Sequence, residues 1–222
     1  MPRLITLPWA QRRQSRYNLR ATVPRDRKGS DMRRSLLLLA IVLLVPVAGH
    51  AVPMSAGKGT PNGQAAGQNS AAGVAAAEFR AGNAALRRGD YQRALTDWQL
   101  AAAQGNALAE FNLGWMYVKG QGVPQDFAKA LKWYRLAAAQ GYAYAELNLG
   151  VMYAKGQGVP QDFVKAYKWF LLSKATLPAT VRDYPLATKY VEALAAQMTP
   201  AQIAQAQQEA AAWYAAHQHA GQ

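Results

Sequence analysis

The clearest order in this chain is a spacing of apolar residues that repeats. Ala109, Leu113, Met116 and Tyr117 recur at intervals of three and four, which predicts a helix over residues 106–118 with these side chains on one face. Residues 126–139 follow the same rule with Phe127, Ala130, Leu131, Tyr134 and Ala137–Ala138, and Asp126 stands where an N-cap is wanted. Between them lies Gly120-Gln121-Gly122-Val123-Pro124, where glycines permit positive φ after one helix and Pro124 sets φ before the next. Small residues at Gly114, Ala130 and Ala137 would let the paired helices approach closely, with Tyr117 and Trp133 filling the space left.

The whole pattern returns 36 residues later: Gly114/Gly150, Tyr117/Tyr153, Asp126/Asp162, Ala130/Ala166 and Trp133/Trp169. An earlier unit has Asp90, Tyr91, Ala94, Leu95 and Ala101 at the same offset, but its first helix is closer, four loop residues having been lost. The pattern A…LG..Y..G.GV..D..KA..W…AA..G in residues 104 to about 175 resembles the Sel1-like repeat, a relative of the tetratricopeptide repeat. The earlier unit, with Gly82, Gly89, Tyr91, Ala94, Trp98 and Ala101, resembles a tetratricopeptide unit. The resemblance implies an all-α solenoid of stacked antiparallel helix pairs, forming a right-handed superhelix with a concave face. Some family members are cysteine-rich and secreted, with reported penicillin binding or β-lactamase activity. This chain has no cysteine, so that activity does not carry over.

The expected organisation has units at 74–103, 104–139 and 140–175, then two capping helices over 176–216 and a tail at 217–222. The first capping helix carries Leu186, Tyr190 and Leu194. The second opens on Thr199-Pro200-Ala201-Gln202, a capping box, and presents Ile203, Ala206, Ala210, Trp213 and Tyr214. A solenoid needs such elements to cover its last open face.

The N-terminal part obeys other rules. From Met32 the chain reads as basic residues (Arg33, Arg34), an apolar run from Leu36 to Val47, and small residues at Gly49 and Ala51. These are the parts of a secretory signal peptide over 32–51, with cleavage expected after Ala51 and a periplasmic or secreted product. A single-span inner-membrane anchor is the alternative, although the run is shorter than a bilayer-spanning helix needs. Without a cysteine after the run, lipid modification is excluded. Residues 1–31 form an Arg-rich extension without periodicity, read as preceding the true start at Met32 or as a cytoplasmic tail of an anchored form. Residues 52–73 are rich in Gly, Ala, Ser, Asn and Gln and read as a flexible linker.

Composition changes this picture less than it first suggests. The chain of 222 residues has a formal net charge of +13, but residues 1–50 carry +8 of it, leaving +5 over the rest. A nucleic-acid footprint requires a clustered folded patch, so no nucleic-acid partner is expected. Lys129, Lys132 and Arg135 share one helix and read as a solvated face. His217 and His219 are the histidines beyond residue 51, too few for a metal site or a triad, and no cofactor is expected. Glu110, Glu146, Asp126 and Asp162 recur by repeat, where capping and solvent-facing roles suffice. The Gly120-Gln121-Gly122 loop lacks the strand, helix and lysine of a phosphate loop, and its duplication favours a connector.

What remains is a second stripe on the first helix of each repeat: Leu108, Phe111, Trp115 and Val118, matched by Tyr144, Leu147, Val151 and Ala154. By the tetratricopeptide resemblance, the positions of Leu108, Phe111, Trp115 and Lys119, and of Tyr144, Leu147, Val151 and Lys155, line the concave groove. The functional reading is a groove for a helix or peptide with Trp115 as anchor. The competing reading packs the stripe against the preceding unit. The expected function is an exported, non-enzymatic protein-binding scaffold. The alternatives are an envelope enzyme acting on peptidoglycan or a β-lactam, and an inner-membrane-anchored adaptor; a membrane partner is expected only if the signal segment stays uncleaved.

Overall fold

A computed structural model describes residues 71–177 and 184–217. The basic extension, the signal segment, the linker up to residue 70, and His219 lie outside the described residues. Eight helices are described: α1 (Ala71–Arg87), α2 (Tyr91–Ala103), α3 (Ala107–Lys119), α4 (Phe127–Ala139), α5 (Ala143–Lys155), α6 (Phe163–Thr176), α7 (Tyr184–Ala195) and α8 (Pro200–His217). No strand occurs among the described residues. The helices form an α-solenoid: α1 pairs with α2, α3 with α4 and α5 with α6, and each pair's second helix packs on the first helix of the next. α1 begins at Ala71, three residues before Val74, where folding was expected to start.

One contact recurs in all three pairs. A Cβ added at Gly82, Gly114 or Gly150 would stand 2.5 to 2.6 Å from the ring of Trp98, Tyr134 or Phe170, respectively. The glycine is therefore the seat of an aromatic ring that enters from the partner helix, and these three rings are fully buried. This corrects the expectation that Tyr117 and Trp133 fill the space between paired helices: Tyr134, the next residue, does so. Helical geometry turns neighbouring residues about 100° apart, so Trp133 points elsewhere.

The ends of the helices follow their sequence signals. Asp90, Asp126 and Asp162 accept hydrogen bonds from the backbone N–H of Arg93, Lys129 and Lys165. Asn106 caps α3 in the same way, whereas Tyr142 before α5 makes no side-chain cap. Thr199 and Gln202 exchange hydrogen bonds as a capping box. Gly120 and Gly122 have φ of 67° and 72°, and a Cβ on Gly122 would meet Tyr91 at 2.6 Å. The loop thus lies against the start of the preceding unit's second helix, a second reason for glycine there. Gln125 and Gln161 donate to the backbone carbonyls of Val118 and Ala154, closing each loop onto its own first helix.

The C-terminal helices both dock on α6. Tyr190 of α7 stacks on Phe170 at 4.6 Å, and Ala206 and Ala210 of α8 are fully buried.

Candidate functional site

The predicted groove residues divide into two groups. Phe111, Leu147 and Val151 are only 2 to 4% exposed, in a core that spans the second and third units together with Val118 and Ala154. Leu147 and Val151 lie on α5, which packs on the preceding unit's α4, whereas Phe111 packs on Tyr134 of its own unit and on Tyr142 and Tyr144 of the following one; none of the three offers a surface to a partner. For Leu147 and Val151 the cause is that every residue of α5 from Ala145 to Ala154 is buried; Phe111, on α3, is covered by the rings of Tyr134, Tyr142 and Tyr144. Leu108 and Trp115 on α3 are half-buried and Lys119 is exposed, while Tyr144 and Lys155 on α5 are half-buried. Burial pulls the Lys155 ammonium below its ordinary value.

Trp115 rests on the core of the first two units, which contains Trp98, Leu113 and Met116. Its indole Nε1 is buried without a hydrogen-bond partner. One turn earlier, Asn112 donates to Asn83 of α1 at 3.4 Å. At the other end of the face, Tyr142 and Tyr144 meet the Phe111 ring at 5.0 and 6.4 Å and each other at 5.8 Å. What stays accessible of the predicted groove is therefore Leu108, Trp115 and Lys119 of α3, with Tyr144 and Lys155 of α5.

A second surface was not predicted. Tyr117 of α3 and Lys129, Lys132, Trp133 and Leu136 of α4 line a shallow pocket of about 350 Å³. Leu136 is 49% exposed, as is its counterpart Leu100. Lys129 pairs with Asp126 at 3.4 Å and lies 5.4 Å from the Tyr117 ring centroid. The lysines were read as a solvated face, and they also edge an apolar depression. The signal in the sequence was a large apolar residue, Leu136, placed opposite the buried stripe of α4.

Two acids are also placed differently from expectation. Glu110 and Glu146 are buried, 4 and 3% exposed, rather than facing solvent. Glu110 accepts from the Gln140 amide at 2.8 Å, and burial still raises its carboxyl above the usual range. In the next unit Thr176 stands in the place of Gln140. Burial pushes the Glu146 carboxyl up to about 8 against a hydrogen bond donated by the Thr176 hydroxyl, and its Oε2 has no partner. Such a group is neutral at pH 7 and stabilises least when it must ionise. Asp126 and Asp162 are the caps expected of them.

Among the described residues no three His, Asp or Glu side chains gather to hold a metal ion. His217, assigned to the tail, instead ends α8, its ring stacked on Trp213 at 3.8 Å and its Nδ1 2.8 Å from the Trp213 carbonyl. No described helix is long and apolar enough to cross a membrane.

Comparison with known proteins agrees with the repeat. The Sel1 repeat family matches residues 107–142 and 143–175. Among solved structures, the chain is similar to a protective antigen of uropathogenic Escherichia coli strains that displays an SLR fold. Identity is 31% over 65% of this chain, with a TM-score of 0.57, and the match spans 31% of the antigen's length. A Sel1 repeat protein from Oxalobacter formigenes is 32% identical over 53% of this chain and 87% of its own, with a TM-score of 0.47. No curated protein matches the chain.

Proposed function

Because the chain belongs to the Sel1 repeat proteins, which commonly act as protein-binding scaffolds, we propose that it is an exported, non-enzymatic adaptor that captures another protein on the α3 face. The observation that carries this reading is Trp115. It is a large aromatic side chain left half-covered, beside Leu108 and Lys119, on the helix face that its counterpart Val151 buries. A half-covered indole flanked by a cation is the kind of anchor that concentrates binding energy. Export rests on the n-region, apolar run and small-residue end of residues 32–51.

Two measurements test the parts separately. A photo-crosslinking residue at Lys119, used in the native envelope, is expected to capture a partner, and Trp115→Ala to abolish that capture with helicity and melting nearly unchanged. A large loss of stability would assign Trp115 to the core and remove the anchor. N-terminal sequencing of the mature protein is expected to begin at Val52. Retention of residues 32–51 in the membrane fraction would favour the anchored adaptor.

A further inference from the structure

α6 carries a helix on a surface that α4 leaves partly open. α7 packs on α6 as α3 packs on α2 and α5 on α4, so α7 takes the place of a next unit's first helix. α8 takes an additional place on α6, whereas among the described helices α2 and α4 pack to that extent only with their hairpin partner and the next unit's first helix. The residues in the two places correspond at an offset of 36: Tyr117, Lys129, Lys132, Trp133 and Leu136 become Tyr153, Lys165, Lys168, Trp169 and Leu172. Trp169 is 4% and Leu172 1% exposed, against 49% for Leu136.

The chain therefore shows what two of these five positions, Lys168 and Trp169, meet when a helix is seated on them. Trp213 of α8 meets the Trp169 ring edge-on at 4.8 Å, and Lys168 Nζ lies 4.9 Å from the centroids of both rings. Ala206 and Ala210, one turn apart and fully buried, let α8 lie close to α6. Burial pulls the Lys168 ammonium down, and the Glu209 carboxylate of α8 opposes that shift; Glu209 acts in the same sense on Lys165, after its main partner Asp162. Aromatic edge, small residues and acid all belong to one helix.

We propose that the pocket of Tyr117, Lys129, Lys132, Trp133 and Leu136 docks an amphipathic helix of a partner protein that shares the chemistry of α8. Such a helix carries an aromatic residue, an acid four positions before it, and alanine-sized residues three and seven positions before it. The lysines supply the complementary charge, and the two aromatic rings and Leu136 supply the apolar floor. The first unit keeps only Leu100 of the apolar floor: Ala85, Arg93, Thr96 and Asp97 hold the other four positions, so both rings and one lysine are gone, and Arg93 is engaged by Asp97 at 2.9 Å. The chain's own α8 is seated on α6, which leaves α4 for another helix. This inference rests on the scaffold reading but uses a different face.

A fluorescent peptide of the Thr199–His217 sequence, titrated with the purified full chain, tests it by anisotropy. Saturable binding is expected, weakened about tenfold or more by Leu136→Glu, by Lys132→Glu, and by Glu209→Gln in the peptide. It should also weaken with added salt. Leu100→Glu, equally exposed in the first unit, should leave it unchanged. These chain residues are exposed, and melting curves confirm that each variant is folded. Absence of binding would overturn the proposal. So would equal effects of Leu100→Glu and Leu136→Glu, or binding indifferent to Leu136→Glu, which would mean exchange with α8 on α6. Dimers of the full chain lost on both Trp213→Ala and Leu136→Glu would put a second copy's α8 in the pocket and overturn the assignment to a different protein. Crosslinking from Lys119 is independent of every one of these variants, so the two readings fail separately.

Discussion

The second and third units are close copies in sequence and differ sharply in surroundings. In the second, α3 keeps Leu108 and Trp115 half-covered and α4 leaves Leu136 open; in the third, Val151 and Leu172 are buried. The interiors of the two pairs are alike, since Gly114 receives Tyr134 as Gly150 receives Phe170. What differs is position in the stack. An internal unit has neighbours along the solenoid axis only, whereas the last described unit, with α7 in the place of such a neighbour, also receives α8. Repeat sequence fixes the hairpin, and the number of neighbours fixes which of its surfaces remain available.

Matched substitutions probe this most directly at the paired tryptophans. Trp169→Ala is expected to cost roughly 3 kcal/mol, because it empties a closed site under α8. Trp133→Ala, at a half-open site, is expected to cost about 1 kcal/mol or less. Urea unfolding of the two variants reads the difference, and equal losses would break the comparison.

The hairpin interiors should instead behave alike. Gly114→Ala and Gly150→Ala each drive a methyl into a buried ring, offset in part by better helix propensity, and each is expected to cost about 2 kcal/mol net. A difference between them larger than that cost, seen in thermal melts, would mean that the two interiors are not equivalent.

The smallest effect concerns the buried acids and depends on pH. The Glu146 carboxyl is raised in the folded state, so its favourable contribution is complete below its unfolded value near 4.5 and is lost as pH rises through about 8. Stability is thus expected to fall between pH 5 and pH 9. Glu146→Gln should flatten that profile, gaining on the order of 1–2 kcal/mol at pH 9 relative to the unsubstituted chain. Glu110→Gln should change it less, because Gln140 already supplies a donor to that carboxylate. Unfolding curves at the two pH values settle the sign.

The periodicity of residues 104–175, the glycine loops and the aspartate caps all stood in the sequence, because they depend on local geometry and recur. The site was legible only in part. Leu108, Trp115 and Lys119 remain at the surface of α3, but Phe111, Leu147 and Val151 do not. The stripe pattern is the same for a helix that faces solvent and one that faces another unit. The α4 pocket is not legible in the sequence, because its residues read one by one as a solvated lysine face and an interior tryptophan. Trp133 and Tyr134 are adjacent aromatics, and nothing local says which of them turns inward.

That helices form, that Asp90, Asp126 and Asp162 open three of them, and that the second and third pairs repeat at 36 residues is written in the chain itself, since capping, turn chemistry and apolar spacing act over a few residues. Only the tertiary structure decided that Tyr134 rather than Trp133 enters the hairpin, that Glu146 is buried, and that α8 covers on α6 the surface left open on α4. Those outcomes depend on contacts between residues far apart in the chain, and burial is a property of the neighbour as much as of the residue.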